Sequence, residues 1–308
     1  NQIFIPSACG GKGTCGYCKV KILEGGGPLL PTETPYLSEE EQAHSVRLSC
    51  QVKVKEDLVV EMPREYFLIK EYRVRIEEID ELTRSLRHLK MKILDPPEGI
   101  TFTPGQYLQL QVPAYELSSQ PEFRAYSLAS DAGDQHSVEL IITKVEGGIV
   151  STYVHDHLKV GDELIARGPF GDFHLMDSDN DILLIATGSG LAPIRSILLQ
   201  MVREGIDRKA MLFFGARVPE DLFYVEEMKE YERKLPDFTY IPVLSRAKPE
   251  DNWEGERGRV TDLIEKLIPD GSPVDVHLCG APPMIKGCIA LLDKKGIPAT
   301  NIAYDKFE

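Results

Sequence analysis

Residues 67–176 alternate apolar and polar side chains in short runs, at 72–76, 89–93, 107–112, 138–143 and 163–167. A period of two places one face of each run on a core and the other in water, which predicts β-strands. Glycine and proline separate the runs, at Pro104–Gly105 and again at 168–171, where a tight turn is expected near the end of the unit. The spacing predicts an antiparallel β-barrel interrupted by one helix over 150–158. The rhythm changes in residues 177–308. Apolar strand runs (182–186, 209–214, 277–279) alternate with helical periods (192–204, 284–295), the pattern of an α/β unit with a parallel sheet covered on both faces. Residues 1–66 are less regular. They hold four cysteines, a glycine-rich turn at 25–28, a polar helix candidate at 38–44 and an alternating run over 51–60 that predicts strands. The chain thus divides into three units, 1–66, 67–176 and 177–308, with no internal repeat and no low-complexity tract.

A length of 308 residues agrees with two or three domains, and 42% hydrophobic against 27% charged residues supplies several cores. No apolar run approaches the roughly 20 residues of a membrane span, so this stretch is not expected to cross a bilayer. The formal net charge of −14 opposes contact with nucleic-acid phosphates. It suits solubility, or docking on a basic patch of another protein. The chain opens on Asn1 and an apolar Ile3, Phe4 and Ile5, and an upstream segment is expected.

Four of the six cysteines, Cys9, Cys15, Cys18 and Cys50, fall in the first fifty residues. Some 250 residues with almost no cysteine exclude a disulfide scaffold and point to a metal in a reducing, cytoplasmic setting. Soft, charged thiolates stabilise ferric iron, and a gapped trio of cysteines with a distant fourth is the ligand pattern of a [2Fe–2S] cluster. The intervening glycines allow backbone N–H groups to wrap closely around inorganic sulfide. A structural four-cysteine zinc site is the alternative, although such sites usually show two close pairs of cysteines.

Arg124, Ala125, Tyr126 and Ser127 form an extended segment after a barrel strand. A flavin needs an aromatic against its ring, a cation for its phosphates and hydroxyl donors, and these residue types at this spacing supply all three. Taken alone, an ordinary strand would look the same. Gly147 and Gly148 then open the helix carrying Ile149, Val150, Ser151 and Thr152, whose first N–H groups would face an anion; Ser151 read alone is an N-cap. A third motif, Thr187, Gly188, Ser189, Gly190, Leu191, Ala192 and Pro193, joins a strand to a helix and resembles a phosphate-binding turn, with Pro193 in the place of a last glycine. Gly215, Ala216 and Arg217 end a second strand, and Cys279 and Gly280 a third. Carboxyl ends of parallel strands are where such sheets bind ligands. Singly, Cys279 reads as a small buried hydrophobe; Cys288 reads as helical core.

Together these residues resemble the ferredoxin–NAD(P)⁺ reductase superfamily in its ferredoxin-first arrangement, and within it the family of F subunits of Na⁺-translocating NADH:quinone oxidoreductases. The resemblance rests on Ser7 to Cys15, Leu30 to Thr34, Arg47 to Lys55, Arg124 to Ser127, Gly168 to Phe170 and Gly171, Pro249 to Trp253, and Tyr304 to Phe307. It implies a partial β-grasp ferredoxin domain, an FAD-binding barrel and an NADH-binding α/β domain. It implies that Lys144 lies near the FAD phosphates, that Asp221 belongs to the NADH side, that Cys279 packs beside the nicotinamide and that Phe307 covers the flavin until nicotinamide displaces it. The implied partners are NADH and a one-electron protein acceptor or a membrane quinone-reductase complex. Membrane association would come through an upstream segment or partner subunits. The family's membrane helix and ferredoxin hairpin are not matched in this chain, and 131–147 is shorter than the family's insertion. The reductase component of a soluble oxygenase is therefore the alternative within enzymes, and a zinc-stabilised nucleotide-sensing module the alternative outside them. NADH is expected over NADPH, because Glu250 and Asp251 follow Ser245 and Arg246 closely and would repel a 2′-phosphate.

Overall fold

In the computed structural model, which describes residues 3–7 and 9–306, the alternating runs build three sheets. The first contains β1 (Lys19–Glu24), β2 (Val46–Leu48) and β3 (Val59–Glu61), antiparallel in the order β2–β1–β3. Between β1 and β2 lies the short helix α1 (Glu39–Ala43). Ser38 opens it, its Oγ accepting from the Glu41 N–H while the Glu41 carboxylate accepts from the Ser38 N–H, which satisfies two otherwise unpaired donors. The alternation over 51–58 does not become a strand. Val52 and Leu58 turn inward onto a core shared with the barrel. The period of two there records burial without a partner strand.

The second sheet comprises β4 (Lys70–Thr83), β5 (Leu86–Asp95), β6 (Tyr107–Val112), β7 (Glu122–Ser127), β8 (Ser137–Thr143) and β9 (Glu163–Phe170). All its pairs are antiparallel, in the order β7–β6–β9–β4–β5–β8. A lone bridge between Leu128 and Leu140 brings the two ends together, so the sheet curls into a half-closed barrel. Val74, Ile76, Leu89, Met91, Leu108, Leu110 and Leu140 fill it, and α2 (Ile149–Asp156) closes it with Val150 and Val154. The expected turn at 168–171 is instead the continuation of β9, with Gly168 opposite Lys70 and Phe170 opposite Tyr107. A side chain at 168 would stand 2.5 Å from Leu108 Cδ2, so glycine serves close strand packing there rather than a turn.

The third sheet is wholly parallel. It contains β10 (Asp181–Thr187), α3 (Leu191–Glu204), β11 (Ala210–Ala216), α4 (Val225–Lys234), β12 (Phe238–Leu244), β13 (Glu256–Arg257), α5 (Val260–Leu267), β14 (Val274–Gly280), α6 (Pro282–Lys294) and β15 (Ile302–Lys306), with strand order β13–β12–β11–β10–β14–β15. Along β10, Ile182, Leu184 and Ala186 face the α3–α4 core while Leu183 and Ile185 face the α5–α6 core. Both faces are covered, so the strand reads as an unbroken apolar run. The chain leaves β10 on one side and returns on the other at β14, which creates a switch point at their carboxyl ends.

The barrel and the parallel sheet are locked together around Arg195, in the first turns of α3. Its guanidinium donates to Glu139 Oε2 (2.7 Å) and the Ala129 carbonyl (2.6 Å) of the barrel, and to Glu227 Oε1 (2.8 Å) on α4. Glu139 also meets the His88 Nε2 at 3.0 Å, and Asp80 meets the His88 Nδ1 at 3.1 Å. Burial alone would lower the His88 pKa, yet these two carboxylates hold it above the ordinary range. Removing one partner of a buried pair strands the other charge. Arg195→Met is expected to cost about 2 kcal/mol, less than a fully buried pair because Glu139 and Glu227 keep some solvent contact. The shift in urea midpoint at constant slope measures it.

Candidate functional site

The cluster loop runs from Ser7 to Cys18 and carries four glycines, Gly10, Gly11, Gly13 and Gly16, at φ between 65° and 86°. Side chains are disfavoured there, and the conformation turns backbone N–H groups towards the thiols. The cysteines meet as two pairs, Cys9 with Cys15 (Sγ–Sγ 3.4 Å) and Cys18 with Cys50 (3.3 Å). Among the described residues no three cysteine, histidine or acidic side chains gather as a single metal ion would require. Two thiol pairs suit two irons, two ligands each, better than one zinc. Burial would raise the Cys9 pKa, but hydrogen bonds from Thr14 and Cys15 bring it down to about 6; burial pushes Cys18 up to about 11. Metal binding requires thiolates, and at Cys9 the loop already favours that form.

The strand that leads into Cys50, β2, is braced by a buried ion pair. Glu33, wholly buried, accepts from Arg47 Nη2 at 2.6 Å and from the N–H groups of Leu30 and Leu48, each at 2.9 Å. Arg47 donates in turn to the carbonyls of Gly26 and Gly27 at 3.0 Å. These contacts account for the motifs at 30–34 and 47–50.

A cleft of about 1080 Å³ opens between the barrel and the parallel sheet. Arg124, Ala125, Tyr126, Ser127, Lys144, Gly148, Ile149, Val150 and Ser151 line its barrel side. Thr187, Gly188, Ser189, Gly215, Ala216, Arg217 and Asp221 line the other. Both α2 and the turn leading into α3 begin without a side-chain cap, and Ile149–Ser151 and Gly188–Ser189 at these starts line the cleft, where uncapped N–H donors suit a diphosphate. Ser151 is not the N-cap. Gly148 holds that place, and Ser151 Oγ accepts from the Val145 N–H at 3.1 Å. Lys144 pairs with Asp156 at 2.6 Å, and Arg124 Nη1 donates to the Phe123 carbonyl at 2.6 Å.

Other expected residues stand behind the wall. Thr152 lies in α2, while Gly190, Leu191, Ala192 and Pro193 carry the turn into α3; none of them lines the cleft. A Cβ at Gly190 would stand 2.2 Å from the Cys279 carbonyl oxygen, so only glycine lets the turn lie against β14. The Cys279 thiol is fully buried in the α3–α4 core, and burial raises its pKa well above the usual value. It stays protonated and is no nucleophile. Gly280 follows it against Thr187. Phe307 lies outside the described residues. The motifs did not disclose Tyr17, Tyr107, Thr143, Arg259 or Asp305 in the lining of the same cleft, while Ser245, marked by its strand end, does line it. Asp305 was visible only as part of the chain's ending, and Tyr17 only as a spacer between cysteines.

The class these features define is an NAD(P)H-dependent oxidoreductase that carries FAD and a [2Fe–2S] cluster and passes electrons to an acceptor. Residues 1–55 match the 2Fe-2S iron-sulfur cluster binding domain family, 73–175 the oxidoreductase FAD-binding domain family and 184–289 the oxidoreductase NAD-binding domain family. Over 99% of its length the chain is 33% identical to the F subunit of the Na⁺-translocating NADH-quinone reductase of Serratia proteamaculans, covering 84% of that protein, and equally to that of Neisseria meningitidis, covering 85%. Among solved structures it resembles an Amycolatopsis cytochrome P450 reductase (TM-score 0.81, 29% identity, 99% of this chain and 91% of that one). It also resembles the ferredoxin reductase of carbazole 1,9a-dioxygenase (TM-score 0.77, 25% identity, 99% and 90%). The chain belongs to the ferredoxin–NAD(P)⁺ reductase superfamily, in the branch with an N-terminal [2Fe–2S] ferredoxin domain. No helix among the described residues is long and apolar enough to cross a membrane.

Burial opposes ionisation of Glu33, but the hydrogen bonds from Arg47, Leu30 and Leu48 hold its carboxyl below the usual range. A lowered folded pKa contributes stability that is complete above the ordinary value of about 4.3 and is lost as pH falls through the folded one. Glu33→Gln is expected to cost the cluster domain about 3 kcal/mol near neutral pH, read as urea-induced loss of cluster absorbance. The gap to the parent protein should close as pH falls below about 4.

Proposed function

We propose that this chain oxidises NADH at the barrel–sheet cleft and delivers single electrons through the four-cysteine site to a protein acceptor. One observation carries the reading: Tyr17 of the cluster loop, Tyr126 and Ser127 of β7, and the Thr187–Ser189 and Gly215–Arg217 turns all line one cavity. When bound there, FAD would supply hydride acceptance and single-electron release, and a [2Fe–2S] cluster on the four thiols would supply single-electron acceptance. Everything else is positioning. Tyr126 and Tyr107 offer flat walls, Ser127 a hydroxyl, and Arg124 and Lys144 positive charge. The first turn of α2 offers N–H donors to a diphosphate. Cys50, two residues beyond β2, completes the thiol cage with Cys9, Cys15 and Cys18. Hydride transfer needs no general base, and the buried, protonated Cys279 supplies none.

The test is Cys15→Ala, mixed anaerobically with NADH. Bleaching of the flavin band should persist while reduction of cytochrome c, as a one-electron protein probe, falls to background. Loss of both would count against this division of labour. The final acceptor we propose is a protein, either an oxygenase component, like those served by the structural relatives, or a quinone-reducing complex, like that of the sequence relatives.

NADH is the proposed donor. Asp221 places a carboxylate on the cleft wall near Arg217, where it would accept from a ribose hydroxyl and repel a 2′-phosphate. Asp221→Asn should narrow the kcat/KM preference for NADH over NADPH by about tenfold, or ~1.4 kcal/mol. A parent protein that already prefers NADPH would overturn the assignment.

A further inference from the structure

Tyr17 belongs to two places at once. In sequence it sits between Cys15 and Cys18; in space its ring forms part of the flavin cleft. Its hydroxyl donates to Asp305 Oδ1 at 3.1 Å, and Ser127 Oγ donates to Asp305 Oδ2 at 3.4 Å. Its ring lies 6.2 Å from that of Tyr107, inclined by 29°, and Tyr107 lies 5.4 Å from Phe170, inclined by 22°. Asp305 is on β15, paired in register with Cys279. One side chain of the cluster loop is thus held by the barrel through its ring and by the parallel sheet through its hydroxyl.

Other contacts fasten the cluster domain to the barrel. Gln109 Nε2 donates to the Ser7 carbonyl at 2.8 Å, and Arg167 stacks 4.5 Å above Phe4. Those lie at the start of the loop. The Tyr17–Asp305 bond differs in joining the thiol cage directly to the nucleotide sheet, at the wall both cofactor sites share.

We propose that Tyr17 is a positioning residue for electron transfer between the cleft and the thiol cage, tethered by Asp305 and aligned by Tyr107. The inference rests on the function proposed above. The step it positions is balanced by the donor already named. NADH gives up a hydride, releasing NAD⁺ and one proton, and its two electrons cross to the cage one at a time, each turning one of the cluster's two ferric irons ferrous before passing to the one-electron protein acceptor, so that two acceptor molecules are reduced per NADH. A tether that holds the loop against the cleft raises the share of molecules in the transferring arrangement. A hydrogen bond to a carboxylate is strong enough for its loss to be seen in that share.

The experiment uses the holoprotein, rapidly and anaerobically mixed with NADH. Flavin bleaching and the paramagnetic signal of the reduced cluster are followed separately. In Tyr17→Phe, which keeps the ring and removes the hydroxyl, the ratio of cluster reduction rate to flavin reduction rate should fall by about tenfold, equal to 1.4 kcal/mol. A general loss of structure would lower both rates together. Hydrogen–deuterium exchange on the oxidised protein gives a readout apart from turnover: amides of 10–16 and 302–305 should exchange faster in Tyr17→Phe and in Asp305→Ala. The double variant should be no looser than either single one, as expected for two ends of one bond. An unchanged rate ratio, or additive loosening, overturns the inference while leaving the proposed function standing. A parent protein whose cluster NADH does not reduce overturns that function and the inference with it.

Discussion

Arg195 leaves the first turns of α3 and crosses into the barrel, where Glu139 and the Ala129 carbonyl receive it, while Glu227 holds it from α4. The cleft lies between two sheets whose main cores differ but which meet where Leu86, Ala129 and Ile141 of the barrel pack into the α3–α4 core. Its two walls therefore keep register only if the sheets cannot slide. A guanidinium with fixed donor geometry, shared by two carboxylates and a carbonyl, resists sliding in a way that apolar contact does not. Ser196, bonded to the Ser130 carbonyl at 2.7 Å, repeats the fastening beside Arg195, and Thr143 and Ser189, whose hydroxyls meet at 2.8 Å, repeat it on the cleft itself. The first turn of α2 and the turn at Thr187–Ser189, which line the cleft from its two sides, keep their spacing through this register.

The cluster domain is attached differently. Val20, Ile22 and Tyr66 share one core with Ile69, Tyr107 and Phe170 of the barrel region, and Phe4, Tyr17 and Val52 pack against it. Continuous apolar packing of this kind fixes distance more than orientation. Orientation falls to directional contacts, among them Gln109 to Ser7, Arg167 over Phe4 and Tyr17 to Asp305. The protein thus combines a rigid two-sheet cleft with a cluster domain seated on it by a shared core, an arrangement suited to moving electrons over short distances between groups that never leave the protein.

Much of this was legible in the residues. The strand at 107–112 and the helix opening at 38 appear as the patterns predict, because alternation and capping are local. The four cysteines and the turns at 187–189 and 215–217 stood out by residue type and spacing, and the fold brings the cysteines together as two pairs and the turns to one cleft. Failures occurred where a local pattern had two physical solutions. Residues 51–58 alternate because Val52 and Leu58 are buried, with no strand beside them to pair with. Gly168 and Pro169 resemble a turn but lie within β9, because the glycine makes room for Leu108.

The sequence by itself determined the strand and helix runs of the barrel and the parallel sheet, since alternation, helical period and capping depend on neighbours a few residues apart, and it offered four cysteines and two strand-end turns as candidates. Only the tertiary structure decided that the thiols pair two by two, that Cys279 is sealed in a core, and that Tyr17, Ser127 and Asp305 meet. Those contacts join residues as much as 288 positions apart. No local propensity encodes such a meeting; it arises when three packed units settle against one another and a carboxylate on the last strand finds a hydroxyl from the first domain.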